Sequence, residues 1–205
     1  MPPVLKTEKT PLTYEQFLRM KDEDTHAEWV NGEVIVLTPP KSYHQRVLRF
    51  LAYLLEEYLQ RNPVGEFLFA PFELYLPRSN ASREPDLFVV RNENLQHLDA
   101  DRFTGAPDVV VEVISDDSLH RDSVEKFLEY EREGVREYWL IDPRPGRRAV
   151  HLFRLQDGSY VPVQPDESSS LNSSVLPGFR LKAEWFTGEG LPGARAAAQE
   201  MLAQD

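Results

Sequence analysis

Cysteine is absent from the 205 residues. That excludes disulfides, thiolate zinc sites and cysteine nucleophiles, and it fits a reducing, cytoplasmic setting. No apolar run reaches the roughly 18–20 residues that a bilayer-spanning helix needs, so no membrane partner is expected. The N-terminal MPPVLKTEKTPLTYEQF lacks the apolar core of a signal peptide. Positive charge is also short: 23 Lys and Arg against 34 Asp and Glu leave a formal charge of −11. This weighs against a protein that coats nucleic acid with a broad basic surface. It leaves room for one that engages DNA locally or through bound metal ions. There is no internal repeat and no domain linker.

What remains is the balance of an ordinary globular chain, 41% hydrophobic and 28% charged, long enough for one domain with a proper core. Residues 1–12 read as a flexible leader, 13–187 as a single domain, and 188–205 as a tail or final short helix. Thr13, Glu15 and Gln16 predict a capped helix near 14–21. Asn31-Gly32 between two β-prone runs predicts a hairpin with strands near 26–30 and 33–37. Ser42 with Gln45 forms a capping-box pattern before Val47, Leu51, Leu54, Leu55 and Tyr58, which recur at helical spacing through about residue 61. FLFAPFELYL and EPDLFVV read as two strands joined by the polar turn PRSNASR, with a loop or short helix near 92–103. Asp122 with Glu125 reads as a second cap, followed by an apolar stripe of Val124, Phe127 and Leu128 that stops at Gly134. VREYWLID is a further strand. AVHLFRL and SYVPV form a closing hairpin about Asp157-Gly158, with Pro162 pointing to an edge. Residues 164–178 read as loop. A mixed sheet with helices packed on it, an α/β fold, is the economical reading.

The chemistry gathers around PDVVVEVISDD. A run such as Val109-Val110-Val111 with Val113-Ile114 suits a strand covered on both faces. Glu112 interrupts it, and a buried carboxylate is costly unless a cation sits beside it. Asp108 and Glu112 share a strand at about 3.3 Å per residue, so they lie about 13 Å apart and cannot hold one small ion. Asp86 belongs to a different strand, and neighbouring strands are about 4.8 Å apart, so Asp86 and Glu112 can converge. Asp108 is expected to cap the start of its strand instead. Carboxylates of this kind hold a divalent cation for phosphodiester hydrolysis, with a lysine to steady the developing charge. The position two after Glu112, where a lysine would share its strand face, is Ile114. Lys126 on the following helix is the nearest candidate. A helical wheel turns it away from Val124 and Leu128, although Tyr130 lies above it one turn on.

The order Pro85-Asp86, Glu112-Val113-Ile114-Ser115, Lys126 with Tyr130, Gly134-Val135-Arg136-Glu137-Tyr138-Trp139 and Ile141-Asp142-Pro143 resembles the Uma-two type of restriction endonuclease, a large and mostly bacterial family of the PD-(D/E)XK nuclease superfamily. The likeness runs from about 12 to 186. It includes the Asn31-Gly32-Glu33 hairpin preceded by Glu28 and the His44-Gln45 pair at the start of the long helix. It implies a restriction-endonuclease-like mixed β-sheet flanked by helices, with an N-terminal β-hairpin. It also implies metal ligation by Asp86, Glu112 and the Val113 carbonyl, Mg²⁺ or Mn²⁺ as cofactor, DNA as transient substrate, and a homodimer as a plausible assembly. The superfamily's strand lysine is replaced by Ile114, and the family's displaced lysine matches Lys126. Glu28, His44 and Tyr130 are accessory candidates. Residues 116–117 are acidic where relatives tend to carry Pro-Ser, which adds negative charge near the site. His26, His97, His120 and His151 show no ligand spacing. The rival expectations are a non-catalytic binding module that keeps the fold and a hydrolase of some other phosphate ester.

Overall fold

Thr13 and Gln16 cap one another: Gln16 N–H donates to the Thr13 hydroxyl at 3.2 Å, and Thr13 N–H donates to Gln16 Oε1 at 2.8 Å. From this box starts α1 (Tyr14–Met20). The computed structural model describes residues 11–21, 25–116, 118–188 and 190–203. Residues 1–10 of the expected leader lie outside them. Strands β1 (Ala27–Val30) and β2 (Glu33–Val36) follow, joined at Asn31 and Gly32. Their φ of 49° and 95° is the left-handed pair that a type I′ hairpin turn requires.

The long helix α2 (Ser42–Arg61) begins one residue earlier than its pattern predicts. Its N-cap is Lys41, which makes no side-chain cap bond, so Ser42 lies inside the helix rather than capping it. FLFAPFELYL is two strands, β3 (Gly65–Phe69) and β4 (Glu73–Leu76), and they belong to different sheets. The break falls at Pro71, which has no N–H to give to a ladder. The expected turn PRSNASR contains a short strand of its own, β5 (Ala81–Arg83). Then come β6 (Leu87–Arg91), a 3₁₀ turn (Asn92–His97), β7 (Arg102–Thr104) and β8 (Val109–Val113). A π-helical turn (Arg121–Glu125) leads into α3 (Lys126–Glu133), which Gly134 ends at φ 100°. The chain closes with β9 (Glu137–Asp142), β10 (Ala149–Gln156), β11 (Ser159–Pro162), β12 (Ser170–Asn172), β13 (Arg180–Lys182), α4 (Glu184–Thr187) and α5 (Ala194–Leu202).

Mixed sheets carry these elements. Six strands run β11-β10-β9-β8-β6-β3, five run β2-β1-β5-β4-β7, and β12 pairs with β13. Within the larger sheet β8 and β9 are parallel and the β6–β8 pair is antiparallel. Pro162 sits on the edge strand β11, as its missing donor demands. Strand alternation then splits the core. Val109, Val111 and Val113 point to one face, where they meet Leu51, Leu54 and Leu55 of α2 and Met201 of α5. Val110 and Ile114 point to the other, against Leu74, Phe103, Tyr130 and Tyr138. Glu112 therefore projects from the second face, between Val110 and Ile114.

Helix α3 and the turn before it follow their apolar pattern only at Phe127, which packs against Tyr138, Phe153 and Tyr160. Val124 and Leu128 are 44% and 50% exposed, whereas Lys126, Glu129 and Glu133 are buried beside Tyr130. Asp122 does not cap a helix either; it lies within the π turn and is buried. Two leucines that a wheel treats alike should thus behave differently. Leu54→Ala, at a fully buried site, should cost about 2–5 kcal/mol in urea unfolding. Leu128→Ala should stay within about 0.5 kcal/mol.

Candidate active site

Asp86 stands just before β6, and the β6–β8 ladder pairs Leu87 with Val111. One further step in that register sets Asp86 opposite Glu112. The two acids are then held in different ways. Asp86 Oδ2 accepts the Val113 N–H at 2.7 Å and lies 2.9 Å from His44 Nε2, at the start of α2. Glu112 Oε1 accepts Lys126 Nζ at 2.8 Å and the Tyr130 hydroxyl at 2.9 Å. Among the described residues, Asp86 Oδ1 and Glu112 Oε2 have no hydrogen bond.

Lys126 is 3% exposed, and its charge is met from three sides. Glu112 lies at 2.8 Å, Glu28 Oε1 at 3.1 Å and Asp122 Oδ1 at 3.7 Å. Burial works against the ammonium, but Glu112, Glu28 and Asp122 outweigh it and raise the lysine above its ordinary range. Glu28 is answered in turn by Arg83, whose guanidinium reaches it at 2.7 Å and grips Glu129 by two bonds of 2.8 and 2.7 Å. Burial would raise Glu28, but Lys126, Arg83 and Arg121 prevail and hold its carboxyl at about 2.

The balance differs for the other acids. Burial pushes Glu112 well above the usual carboxylate range, with Asp122 and Asp86 adding to the effect against Lys126. Burial likewise raises Asp122, whose Oδ1 is buried without a hydrogen-bond partner. One lysine is therefore shared among Glu28, Glu112 and Asp122, with Asp86 close by. Such a cluster favours one more positive charge. That surplus, with a free oxygen on each of Asp86 and Glu112, fits a hard divalent ion, which binds through one or two carboxylates and keeps waters for its remaining positions. Among the described residues no group of three or more His, Cys, Asp or Glu side chains is arranged to hold a metal.

Asp86, Glu112, Val113, Lys126, Glu28 and His44 all line one cleft of about 890 Å³. Tyr130 lies beneath it, fully buried. Glu28 is committed to Arg83, Lys126 and the Glu84 N–H at 3.3 Å, so it supports the lysine. Asp116 adds little charge, since Lys41 lies 2.7 Å away and Arg144 3.9 Å; Asp117 lies outside the described residues. Asp108 is bound by Arg91 N–H at 2.8 Å and by Asn94 and Arg136 at the far end of β8. Sequence reasoning missed Arg83 and read Asp122 as a helix cap rather than as part of the site. The signal for Asp122 was its place four residues before Lys126. For Arg83 it was a basic residue beside the acids Glu84 and Asp86.

A model of the Uma2 family, described as "Putative restriction endonuclease", matches residues 14–184. Among solved structures, the chain is similar to "a putative nuclease belonging to DUF820" from Anabaena variabilis. The two share 18% identity at a TM-score of 0.69, over 85% of this chain and 96% of that one. No curated protein matches the chain.

Glu28 makes the cluster's stability depend on pH. Its carboxyl falls from 4.5 to about 2 on folding, so its contribution is present above pH 4.5 and is lost as pH drops through 2. Glu28→Gln should be less stable than wild type near neutral pH, by on the order of 3 kcal/mol. The gap should close as pH falls toward 2. Urea unfolding at stepped pH measures it, and a constant gap would contradict the assignment.

Proposed function

The chain belongs to the Uma2 putative restriction endonuclease family, and from that premise we propose that it is a divalent-cation-dependent nuclease hydrolysing phosphodiester bonds in DNA. One observation carries the reading. Asp86 and Glu112, opposite each other in register, each commit a single oxygen to the protein, and a buried lysine lies 2.8 Å from Glu112. In this reading Asp86, Glu112 and the Val113 carbonyl hold Mg²⁺ or Mn²⁺, which when bound polarises the phosphate and lowers the pKa of the attacking water.

The chain's own residues do the rest. Lys126, fixed by Glu28 and Asp122, presents a cation to the negative charge that builds on phosphorus-bound oxygens. Its fixed position avoids reorganisation when that charge appears. Tyr130 holds Glu112 by its hydroxyl, and His44 holds Asp86, so neither carboxylate must be ordered when substrate arrives. The −11 net charge is tolerable at such a site because the cation and Lys126 neutralise the acids nearest the phosphate.

Purified protein should nick supercoiled plasmid, or cut circular single-stranded DNA, with Mn²⁺ and not with EDTA. Glu112→Gln and Lys126→Ala should each lower the rate by about 10²-fold or more. Near-ultraviolet dichroism would confirm that the variants remain folded. Hydrolysis that survives both substitutions, or that ignores EDTA, overturns the reading. An intact fold that takes up no Mn²⁺ in calorimetry favours a binding module instead.

A further inference from the structure

The cleft extends past the acids along α2. Arg46 and Arg49, one turn apart, line it on the exposed side of that helix, and neither is ion-paired within the described residues. Leu48 and Ala52 add apolar surface to the same cleft. Phe69, at the end of β3, also lines it and is 56% exposed. Its backbone pairs with Leu87, the neighbour of Asp86, and the Ala70 N–H donates to the Asp86 carbonyl at 3.2 Å. An aromatic ring thus stands two backbone steps from a proposed metal ligand, with two free guanidinium groups in the same groove.

An exposed phenyl ring offers little to an intact duplex, whose base faces are already stacked and whose outer surface is phosphate. An unpaired base presents its π-face, and cations flanking such a ring follow the strand's phosphates; this is how grooves for single strands are built. On a protein of net charge −11, attraction of phosphate has to be local, and Arg46 and Arg49 provide it. We propose that this arm of the cleft binds single-stranded DNA, with a base stacked on Phe69 and adjoining phosphates on Arg46 and Arg49. The substrate of the site is then a single strand or an unpaired junction rather than intact duplex. The assignment of that substrate rests on the nuclease reading; the binding preference does not.

The test is fluorescence anisotropy of fluorescein-labelled oligothymidylate and of a duplex of equal length, in EDTA so that no hydrolysis consumes the probe. The single strand should bind at least about tenfold more tightly than the duplex. Phe69→Ala should weaken single-strand binding about tenfold, and Phe69→Trp should retain it. The Arg46→Ala, Arg49→Ala double variant should lower the slope of log affinity against log salt by about 1.4, at about 0.7 for each phosphate released. Duplex binding as tight as the single strand, or single-strand affinity indifferent to Phe69→Ala, overturns the proposal. Absence of Mn²⁺-dependent cleavage beside an intact single-strand preference would sink the nuclease reading alone.

Discussion

A charged ammonium taken out of water is costly unless other charges replace the lost hydration, and Lys126 sets this requirement for the whole site. Its three carboxylates come from separate places: Glu28 from the N-terminal hairpin, Glu112 from the central strand, and Asp122 from the π turn. The lysine can be charged and buried only when all three elements are assembled. Local order at the site therefore depends on how the hairpin, the central strand and the π turn pack together.

Arg83 extends the demand outward. Its side chain is fully buried, and it ties Glu28 of β1 to Glu129 of α3 from a strand of only three residues. Removing one member of such a network strands the others, which is why buried ion pairs are costly to break even when they add little net stability. Here they fix where α3 lies over the five-stranded sheet. The opposite end of β8 has its own staple, Asp108 with Arg91, Asn94 and Arg136, so the strand is anchored at one end and lines the cleft with Glu112 and Val113 at the other.

Much of this was legible in the sequence because periodicity reports which side of an element meets the core. The hairpin at Asn31-Gly32, the stripe on α2, the stop at Gly134 and the edge at Pro162 each follow from a single local rule. The opposition of Asp86 and Glu112 follows from strand alternation and spacing. Reading failed where polar contacts across the fold replaced apolar packing. α3 buries Lys126, Glu129 and Glu133 while exposing Leu128, because its partners are Glu112, Arg83 and the Arg78 and Ser79 amides. No wheel contains those partners. β5 was hidden for a similar reason: Ala81-Ser82-Arg83 has a turn's composition, and only β1 and β4 on either side make it a strand.

The π turn carries a last consequence. Its defining bond, from the Lys126 N–H to the Arg121 carbonyl, spans five residues where an α-helix spans four, and such turns concentrate at functional sites. An α-helix advances about 100° per residue, so one added or deleted residue rotates everything beyond it by about that angle. The residue presented to Glu112 is thus chosen by chain length between β8 and α3 as much as by side-chain identity. A lysine carried on a strand is placed by a two-fold alternation that a single deletion inverts. One carried on a helix behind a π turn is re-aimed by about 100° with each residue inserted or deleted, so a change in chain length moves the cation relative to Glu112 while the sheet stays as it is.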